Sequence, residues 1–419
     1  MQFQIPYGKT HLSFHLSDER QVDWIEPPQV PPAPDALGQV RRALESPLGG
    51  FDWGDVHQPN SVAIAVNDKT RPVPHDLLLP PLLAQLTGLG ISDSAITFFV
   101  AVGTHLPMDA GEFAAILPAE ILERYRVVSH DSENPEMLTF LGQTSRHTPV
   151  WVNQAFFQST LKIVVGNIEP HQFAGFSGGV KTAAVGLGGL ESINRNHALM
   201  IHPDSQLGAY ETNPVRQDVE EMGDLIGIHL ALNAILNQDR QIVHVLAGEP
   251  RAVMQAGVPL SRQVCQIGVS ERYGLMIVSP GGHPKDINVY QAQKGLAHAA
   301  QVIQPGGTII LAAACPEGAG SPHYESWMIG KSSHQEVMDR FHAEGFRVGP
   351  HKAYLIVRDA SKANLVFCSD MDDSCARALL LNPASDLQAA VDRALQNLPP
   401  GDRIGILPHA SSTIPYLVE

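Results

Sequence analysis

LKIVVGNIEPH, residues 161 to 171, is a run rich in Ile and Val that ends in a polar turn. Continuous apolar runs of this kind are typical of parallel strands that helices cover on both faces. Five more runs have the same form: SVAIAVND (61–68), AITFFVAVGTH (95–105), GLMIVSPGG (274–282), GTIILAAAC (307–315) and NLVFCSD (364–370). Helical patterns follow the runs, so the sequence predicts an α/β protein with mainly parallel sheets.

Polar residues of the first half come directly after these runs. They are Asn67 and Asp68, His105, and Glu169 with His171. In open parallel sheets, ligands bind outside the carboxyl ends of the strands. We therefore expect these side chains to meet at one edge of a sheet.

Composition and charge restrict the class of partner. The chain has 419 residues, enough for two or three domains, and a net charge of −15. Such an acidic chain does not favour binding to nucleic acid or anionic membranes, since both need a basic surface. Small molecules are the expected ligands.

The four cysteines form no CxxC pair that would indicate a zinc site. No run is long enough for a membrane span, and the first residues do not resemble a signal peptide, so a cytoplasmic location is expected.

The chain contains two signs of domain organisation. EPPQVPPAPDA, residues 26 to 36, predicts an extended surface connection. A domain break is expected near RQVCQIGVS, residues 262 to 270, where a new set of strands and helices begins. The tail RIGILPHASSTIPYLVE predicts a last strand followed by a loop.

EPHQFAGFSGGVKTAAVGLGG, residues 169 to 189, is nearly a P-loop. Gly175 starts that pattern, but Val180 stands where its last glycine must be, which argues against a nucleoside triphosphate site. Lys181 is then either a solvated lysine or a desolvated nucleophile at a helix start. His197 follows sixteen residues later, about 24 Å away along a straight helix at roughly 1.5 Å per residue. Both residues can meet one ligand only if GLGG, residues 186 to 189, interrupts the helix.

Two histidines and one arginine are candidates for chemistry on a small acid. His105 and His171 are either structural or an acid/base pair on opposite sides of a reacting carbon, as a racemase or epimerase requires. Arg71, in NDKTRPVP, has the planar fork that binds a carboxylate.

DINVYQAQKG supplies further polar residues from the second half of the chain. Gln291 and Lys294 are three positions apart, so they share one face of a helix. A site that used residues from both halves would lie in a cleft between domains.

The motifs NDKTRP, VGTH, EPHQFAGFSGGVK, SINRNH and YQAQKG together closely resemble the nickel-dependent lactate racemase family, over residues 60 to 300. The resemblance implies a nickel-pincer nucleotide, a pyridinium-3,5-bisthiocarboxylic acid mononucleotide that holds nickel, bonded covalently to Lys181. It implies that His197 is a nickel ligand and that His105 and His171 are the acid/base pair.

The resemblance assigns further residues to the substrate, Arg71, Tyr290, Gln291 and Lys294, and to the cofactor, Asp68, Gly178 and Gly179. Arg71 and Lys294 are expected to bind the substrate carboxylate. Asp68 is expected to orient Arg71 or to contact the sugar of the cofactor.

The family chemistry implied for this chain is racemisation or epimerisation of a 2-hydroxy acid. One histidine takes the hydroxyl proton while the α-hydride moves to the cofactor, which leaves a planar 2-keto acid, and return to the opposite face inverts the centre. Enzymes that build the cofactor are implied as maturation partners. The side group of the substrate stays open, with Tyr354 and residues 314 to 327 as candidates for its pocket.

The family fold implies two α/β domains with the active site in the cleft between them. Residues 1–266 with 404–419 are expected to form the larger cofactor-binding domain, and residues 270–400 the other. Two alternatives compete. An NAD-linked 2-hydroxyacid dehydrogenase needs a Gly-x-Gly-x-x-Gly turn after a strand, which GLGGLES does not provide. A non-catalytic nickel-nucleotide binding protein would keep Lys181 and His197 without a working histidine pair.

Overall fold

The computed structural model describes residues 1–57 and 59–418, which divide into two compact units. One unit is Gln29–Val264, and the other joins Met1–Pro28 to the chain from Cys265 onward. One boundary between the units, from Val264 to Cys265, falls within residues 262 to 270, where a break was expected. A second crossing lies within the Pro-rich segment, which contains no helix or strand before Ala36.

The strands of the described residues are β1 (Gln2–Tyr7), β2 (Thr10–His15), β3 (Val22–Trp24), β4 (Val62–Asn67), β5 (Ile96–Ala101), β6 (Arg126–Ser129), β7 (Leu138–Gln143), β8 (Pro149–Asn153), β9 (Leu161–Asn167), β10 (Pro170–His171), β11 (Gly175–Phe176), β12 (Leu230–Leu236), β13 (Ile242–Gly248), β14 (Gln266–Val269), β15 (Tyr273–Val278), β16 (Ile303–Ala312), β17 (Asn364–Cys368), β18 (Pro383–Ala384), β19 (Ile404–Leu407) and β20 (Ile414–Leu417). All six predicted runs form strands, and the tail adds β20 where a loop was expected.

The helices are α1 (Ala36–Glu45), α2 (His75–Gly88), α3 (Ala119–Arg124), α4 (Gln154–Gln158), α5 (Lys181–Ala184), α6 (Leu190–Ala198), α7 (Pro214–Ile226), α8 (Pro250–Cys265), α9 (Val289–Ala299), α10 (Pro322–Met328), α11 (His334–Glu344), α12 (Pro350–Ala360), α13 (Asp373–Ala378) and α14 (Leu387–Asn397). Among the described residues, no helix has the length and hydropathy needed to cross a membrane.

The unit Gln29–Val264 is built on a six-stranded sheet in the order β13-β12-β9-β4-β5-β6. Every neighbouring pair is parallel except β12 with β13. The parallel strands β4, β5 and β9 lie side by side in its centre. Their carboxyl ends therefore lie at the same edge of the sheet, where the polar residues that follow the strands were expected to meet.

Strand β4 shows how the sequence covers both faces of this sheet. Ile64 and Val66 pack into a core with α1 and α2, whereas Ala63 and Ala65 pack into a second core with α5, α7 and α8. Successive side chains of a strand point to opposite faces. The two small alanines leave room on the face that also carries Lys181.

The second unit has its own sheet, in the order β18-β17-β16-β15-β19-β3, with parallel pairs throughout. This division differs from the predicted one at both chain ends. Residues 1–28 and 404–419 were expected to belong to the first domain, but β19 pairs with β15 on one side and with β3 on the other. Both ends therefore lie in the sheet of the second unit.

Candidate active site

A pocket with a cavity volume of about 120 Å³ opens at the carboxyl edge of the sheet in the unit Gln29–Val264. The last residues of β4 and β5, Asn67 and Ala101, contribute to its wall. Seven predicted site residues line it: Asp68, Arg71, His105, His171, Gly178, Lys181 and His197. Residues that are up to 129 positions apart in sequence, from Asp68 to His197, thus meet at one cavity.

Lys181 is a buried lysine at the first position of α5. Burial, and then the charges of Arg71 and Arg216, lower the pKa of its ammonium well below the usual value, although Glu169 opposes this shift. A low pKa leaves more of the amine neutral and nucleophilic near pH 7. The prediction of a desolvated lysine is therefore confirmed over that of a solvated one.

The GLGG segment interrupts the helix as the sequence required. Helix α5 ends at Ala184 and α6 begins at Leu190, so no single straight helix joins Lys181 to His197. A side chain at Gly186 would put its Cβ 2.3 Å from the carbonyl oxygen of Thr182. Because the backbone is this close, only glycine fits at position 186. Lys181 and His197 both line the same pocket.

The hydrogen bonds around His197 determine which ring nitrogen carries its proton. The amide nitrogen of Asn196 donates to Asp218 Oδ2 at 2.8 Å and to the carbonyl of Val215 at 3.0 Å. The amide oxygen therefore lies 3.0 Å from Nδ1 of His197 and accepts its proton. Nε2 keeps its lone pair, which is the form that ligates a metal.

The pKa of His197 is lowered to about 3, because the ring is buried and lies near the charges of Lys181 and Arg71. At neutral pH the imidazole is therefore uncharged, as a metal ligand must be.

Asp68 contacts His105, and Arg71 contacts Glu169. Asp68 Oδ2 accepts a hydrogen bond from Nδ1 of His105 at 2.7 Å, whereas Arg71 donates to Glu169 Oε1 at 3.2 Å. Asp68 was expected to orient Arg71 or to contact the sugar of the cofactor; in the structure its buried carboxylate turns towards His105, and contact with the sugar stays a prediction. Burial raises the pKa of Asp68, but hydrogen bonds from His105 and Thr70 outweigh this and lower it.

His171 has the opposite proton arrangement. The backbone N–H of Ala174 donates to Nδ1 of His171 at 3.3 Å. A neutral ring that accepts at Nδ1 carries its proton on Nε2. By the same rule a neutral His105, which donates from Nδ1 to a carboxylate, has its lone pair on Nε2. Either ring acts as a base from its neutral form and as an acid only when both nitrogens carry protons.

The glycine-rich loop brings backbone and polar atoms to the pocket. A Cβ at Gly178 would lie 2.8 Å from the side chain of Ile168, while the N–H of Gly179 donates to Asn233 at 2.7 Å. Within the described residues, the buried hydroxyl of Ser177 has no hydrogen-bond partner, although it lines the pocket. A pocket-lining hydroxyl without a protein partner can bond to a polar ligand or to a water in the pocket.

Comparison with known proteins identifies the family. The profile of the lactate racemase N-terminal domain matches residues 7–208, and that of the lactate racemase C-terminal domain matches residues 270–414. The chain belongs to the lactate racemase family. It is a racemase, and therefore an isomerase.

Two lactate racemases are similar over nearly the whole chain. The Thermoanaerobacterium thermosaccharolyticum enzyme is 27% identical over 98% of both chains, and the Lactiplantibacillus plantarum enzyme 25% identical over 94% of this chain and 93% of its own. The apoprotein structure of the former superposes with a TM-score of 0.90 over 100% of both chains. A Thermotoga maritima protein shares the fold at 19% identity and a TM-score of 0.66, covering 91% of this chain and 97% of its own.

The remaining predicted residues of this lactate racemase family member lie in the second unit, near the start of α9. Nζ of Lys294 donates to Oε1 of Gln291 at 2.9 Å, which confirms that the two share a helix face. Nζ of Lys352 lies 4.7 Å from the ring centre of Tyr290. Tyr354 is 3% exposed and stacks on Phe341, so it is a core residue.

Sequence reasoning missed the residues that support the pocket from behind. Asp218 is fully buried on α7 and accepts hydrogen bonds from the hydroxyls of Thr144 at 2.5 Å and Thr148 at 2.8 Å, besides the one from Asn196. These residues fall in three separate segments and form no local motif. Only their convergence in the fold reveals that they hold His197 in place.

Proposed function

We propose that this chain racemises or epimerises a 2-hydroxy acid with a nickel-pincer nucleotide bonded to Lys181. The observation that carries the proposal is that two histidines, His105 and His171, line one pocket with the buried Lys181 and with His197. Inversion at a hydroxyl-bearing carbon needs a base for the hydroxyl proton on one face and an acid on the other. In the proposal, His105 and His171 supply these two functions.

The residues present fit the cofactor. Lys181 is a buried amine with a lowered pKa, suited to a covalent bond, and His197 presents an unprotonated Nε2 as the ligand that nickel accepts. The orphaned hydroxyl of Ser177 is a further polar contact for a nucleotide. When bound, the cofactor supplies the acceptor and donor for the α-hydride of the substrate.

The residues of this chain then have the following roles in the proposal. His105 removes the hydroxyl proton through Nε2, and the carboxylate of Asp68 stabilises the imidazolium that results. His171, as the imidazolium, returns a proton from Nε2 on the opposite face and is left neutral. Arg71 binds the carboxylate end of the substrate, and the assignment of Lys294, Tyr290 and Gln291 to the substrate stays a prediction from the family resemblance. Reaction from the other enantiomer exchanges the two histidine roles.

The GLGG segment does not provide the binding turn that the dehydrogenase alternative needs. GLGG joins α5 to α6, two helices, instead of following a strand, so no dinucleotide turn forms there. A dehydrogenase would also release free NADH during turnover, which an absorbance measurement detects.

Intact-protein mass spectrometry with nickel analysis tests the proposal. The protein is co-expressed with enzymes that build the cofactor, and single enantiomers of 2-hydroxy acids, beginning with lactate, are followed by chiral chromatography. We expect an adduct mapped to Lys181 and loss of optical purity for at least one acid. Lys181→Ala removes the adduct, whereas Lys69→Ala, an exposed lysine of the same unit, keeps it. An undiminished adduct in Lys181→Ala refutes the attachment site.

Single substitutions of the two histidines separate catalysis from cofactor binding. His105→Ala and His171→Ala are each expected to keep the Lys181 adduct and to lose racemisation. If the adduct forms but no acid is racemised by the unmodified protein, the chain is a cofactor-binding protein instead. A fully active histidine variant removes that residue from the reaction.

A further inference from the structure

A fully buried arginine lies behind the glycine-rich loop of the pocket. Arg216, on α7, has no exposed surface. Its Nη1 donates to the carbonyl oxygens of Phe176 and Gly178, each at 3.1 Å. A charge this deep in the protein is stable only when its donors are paired. Here two of the acceptors are backbone atoms of the segment that leads into Lys181.

The other side of the guanidinium is held by a buried carboxylate. Nε and Nη2 of Arg216 donate to Glu220 Oε1 at 3.0 and 2.6 Å, and the hydroxyl of Tyr210 donates to the same oxygen at 3.0 Å. The ring of Tyr210 lies 5.4 Å from the guanidinium carbon. Because the planar fork is bound on several sides, it cannot rotate without losing hydrogen bonds.

The loop needs such external bonds to keep its shape. Gly178 and Gly179 have φ values of +94° and +55°, in the left-handed region. Two successive glycines have many accessible conformations, so local sequence does not favour this one. Bonds from Arg216 to Gly178, and from Gly179 to Asn233, select it. A Cβ at Gly179 would lie 3.1 Å from Arg216 Nη2, so the loop and the arginine fit closely.

We propose that Arg216 is a positioning residue for Lys181: it fixes the loop from Phe176 to Gly178, so that the amine of Lys181 enters the pocket in a reactive position. The second fixed carbonyl, that of Gly178, is only three residues before Lys181, at the start of the turn that opens α5. A shift of the loop would therefore move the lysine.

The positive charge of Arg216, like its hydrogen bonds to the loop, favours a reactive amine at Lys181. After burial, the charges of Arg71 and Arg216 lower the pKa of Lys181, and Glu169 raises it. The neutral amine is the nucleophile, so both contributions favour bond formation at Lys181. A purely structural arginine would affect the melting temperature but not the chemistry of this lysine.

A matched control is available beside the same loop. Arg262 lies 5.6 Å from the ring centre of Phe176, but it donates to the carbonyl of Gly208 and to Glu211 instead of to the loop carbonyls that Arg216 holds. Arg262→Met removes a guanidinium near the loop and leaves those bonds intact. Arg216→Lys keeps the charge but loses the fork, and Arg216→Met loses both.

The test measures the reactivity of Lys181 in protein made without the cofactor. An acetyl ester of N-hydroxysuccinimide labels the protein over a range of pH, and peptide mass spectrometry follows the rate at Lys181. Both Arg216 variants are expected to raise the midpoint of this profile by half a pH unit or more, about threefold in the neutral fraction. Arg262→Met is expected to leave it unchanged. Tyr210→Phe, which removes one bond to Glu220, gives a smaller rise and serves if Arg216→Met does not fold.

An Arg216 variant with a lower melting temperature but an unchanged Lys181 profile overturns the inference. The inference rests on the proposed function only in taking Lys181 as the site of the covalent bond to the cofactor. A second measurement separates the positioning role of Arg216 from the proposed function. Protein matured with the cofactor pathway is weighed for the adduct. No adduct in the unmodified protein, with altered labelling in the variants, refutes the function and keeps the positioning. A normal adduct, with labelling of Lys181 in the variants that matches the unmodified protein, keeps the proposed function and refutes the positioning role of Arg216.

Discussion

Replacement of Asp68 by Asn isolates the charge that faces His105. The Asp68 side chain is 5% exposed, that of His105 is 53% exposed, and their Oδ2 and Nδ1 atoms lie 2.7 Å apart. Asparagine has the same size and still offers an oxygen to Nδ1. The fold and the hydrogen bond therefore stay possible, while the negative charge that stabilises the imidazolium disappears.

The magnitude follows from the kind of hydrogen bond that is weakened. A hydrogen bond to a charged group contributes about 1.5–3 kcal/mol. Half of the His105 ring is solvated, and water screens the interaction, so the lower end applies. About 1.5 kcal/mol corresponds to a roughly tenfold lower rate. Thr70→Val removes only the 2.7 Å hydrogen bond from Thr70 to the other carboxylate oxygen, and its effect is expected to be smaller.

The assay is the rate of loss of optical purity, divided by the fraction of protein that carries the Lys181 adduct. This ratio distinguishes two roles of Asp68. A role at His105 lowers the rate per adduct, whereas contact with the cofactor, the role expected from family resemblance, lowers the adduct fraction. Asp93→Asn, at an exposed ion pair with Arg124, is the control and should change neither. A rate per adduct within twofold of the unmodified protein would falsify the assignment to His105.

Three further predictions concern stability. Gly175→Ala should destabilise the fold by about 3 kcal/mol or more, measured by urea unfolding, because φ is +70° and a Cβ would lie 1.5 Å from a carbonyl oxygen. Burial is the main cause that lowers the pKa of His75 and of His298 to about 4, so the unfolded chain binds more protons than the folded chain below pH 6.5. Each histidine should therefore lower the unfolding free energy of its unit by about 2 kcal/mol at pH 5, and the loss should be complete below pH 4. Equal stability at pH 5 and pH 7 would contradict this prediction. Asp218→Asn should lower the melting temperature and, in matured protein, the nickel content. The reason is that the hydroxyls that donate to this carboxylate lose a charged acceptor. Unchanged nickel content would exclude a role of Asp218 in positioning the proposed nickel ligand.

Local periodicity accounts for what the sequence alone could predict of the fold. The continuous Val and Ile runs determined the parallel strands, because a strand buried on both faces needs apolar residues at every position. The break in the helix at GLGG was also predictable, since Lys181 and His197 could not otherwise share a ligand. The motifs placed Asp68, His105 and His171 at the ends of strands, hence at one edge of one sheet.

The tertiary structure decided everything that depends on pairing over long sequence separations. Strand β3 and strand β19 joined the second sheet, although their short runs are compatible with either unit. Asp68 turned to His105 instead of Arg71, because the direction of a side chain after a strand depends on which neighbouring loop packs over it. Arg216 and Asp218 have no motif, and only the packing of α7 shows that Arg216 contacts the loop before Lys181 and that Asp218 contacts Asn196 beside His197. Sequence thus determined which residues could react, and packing determined which proton and which charge each of them meets.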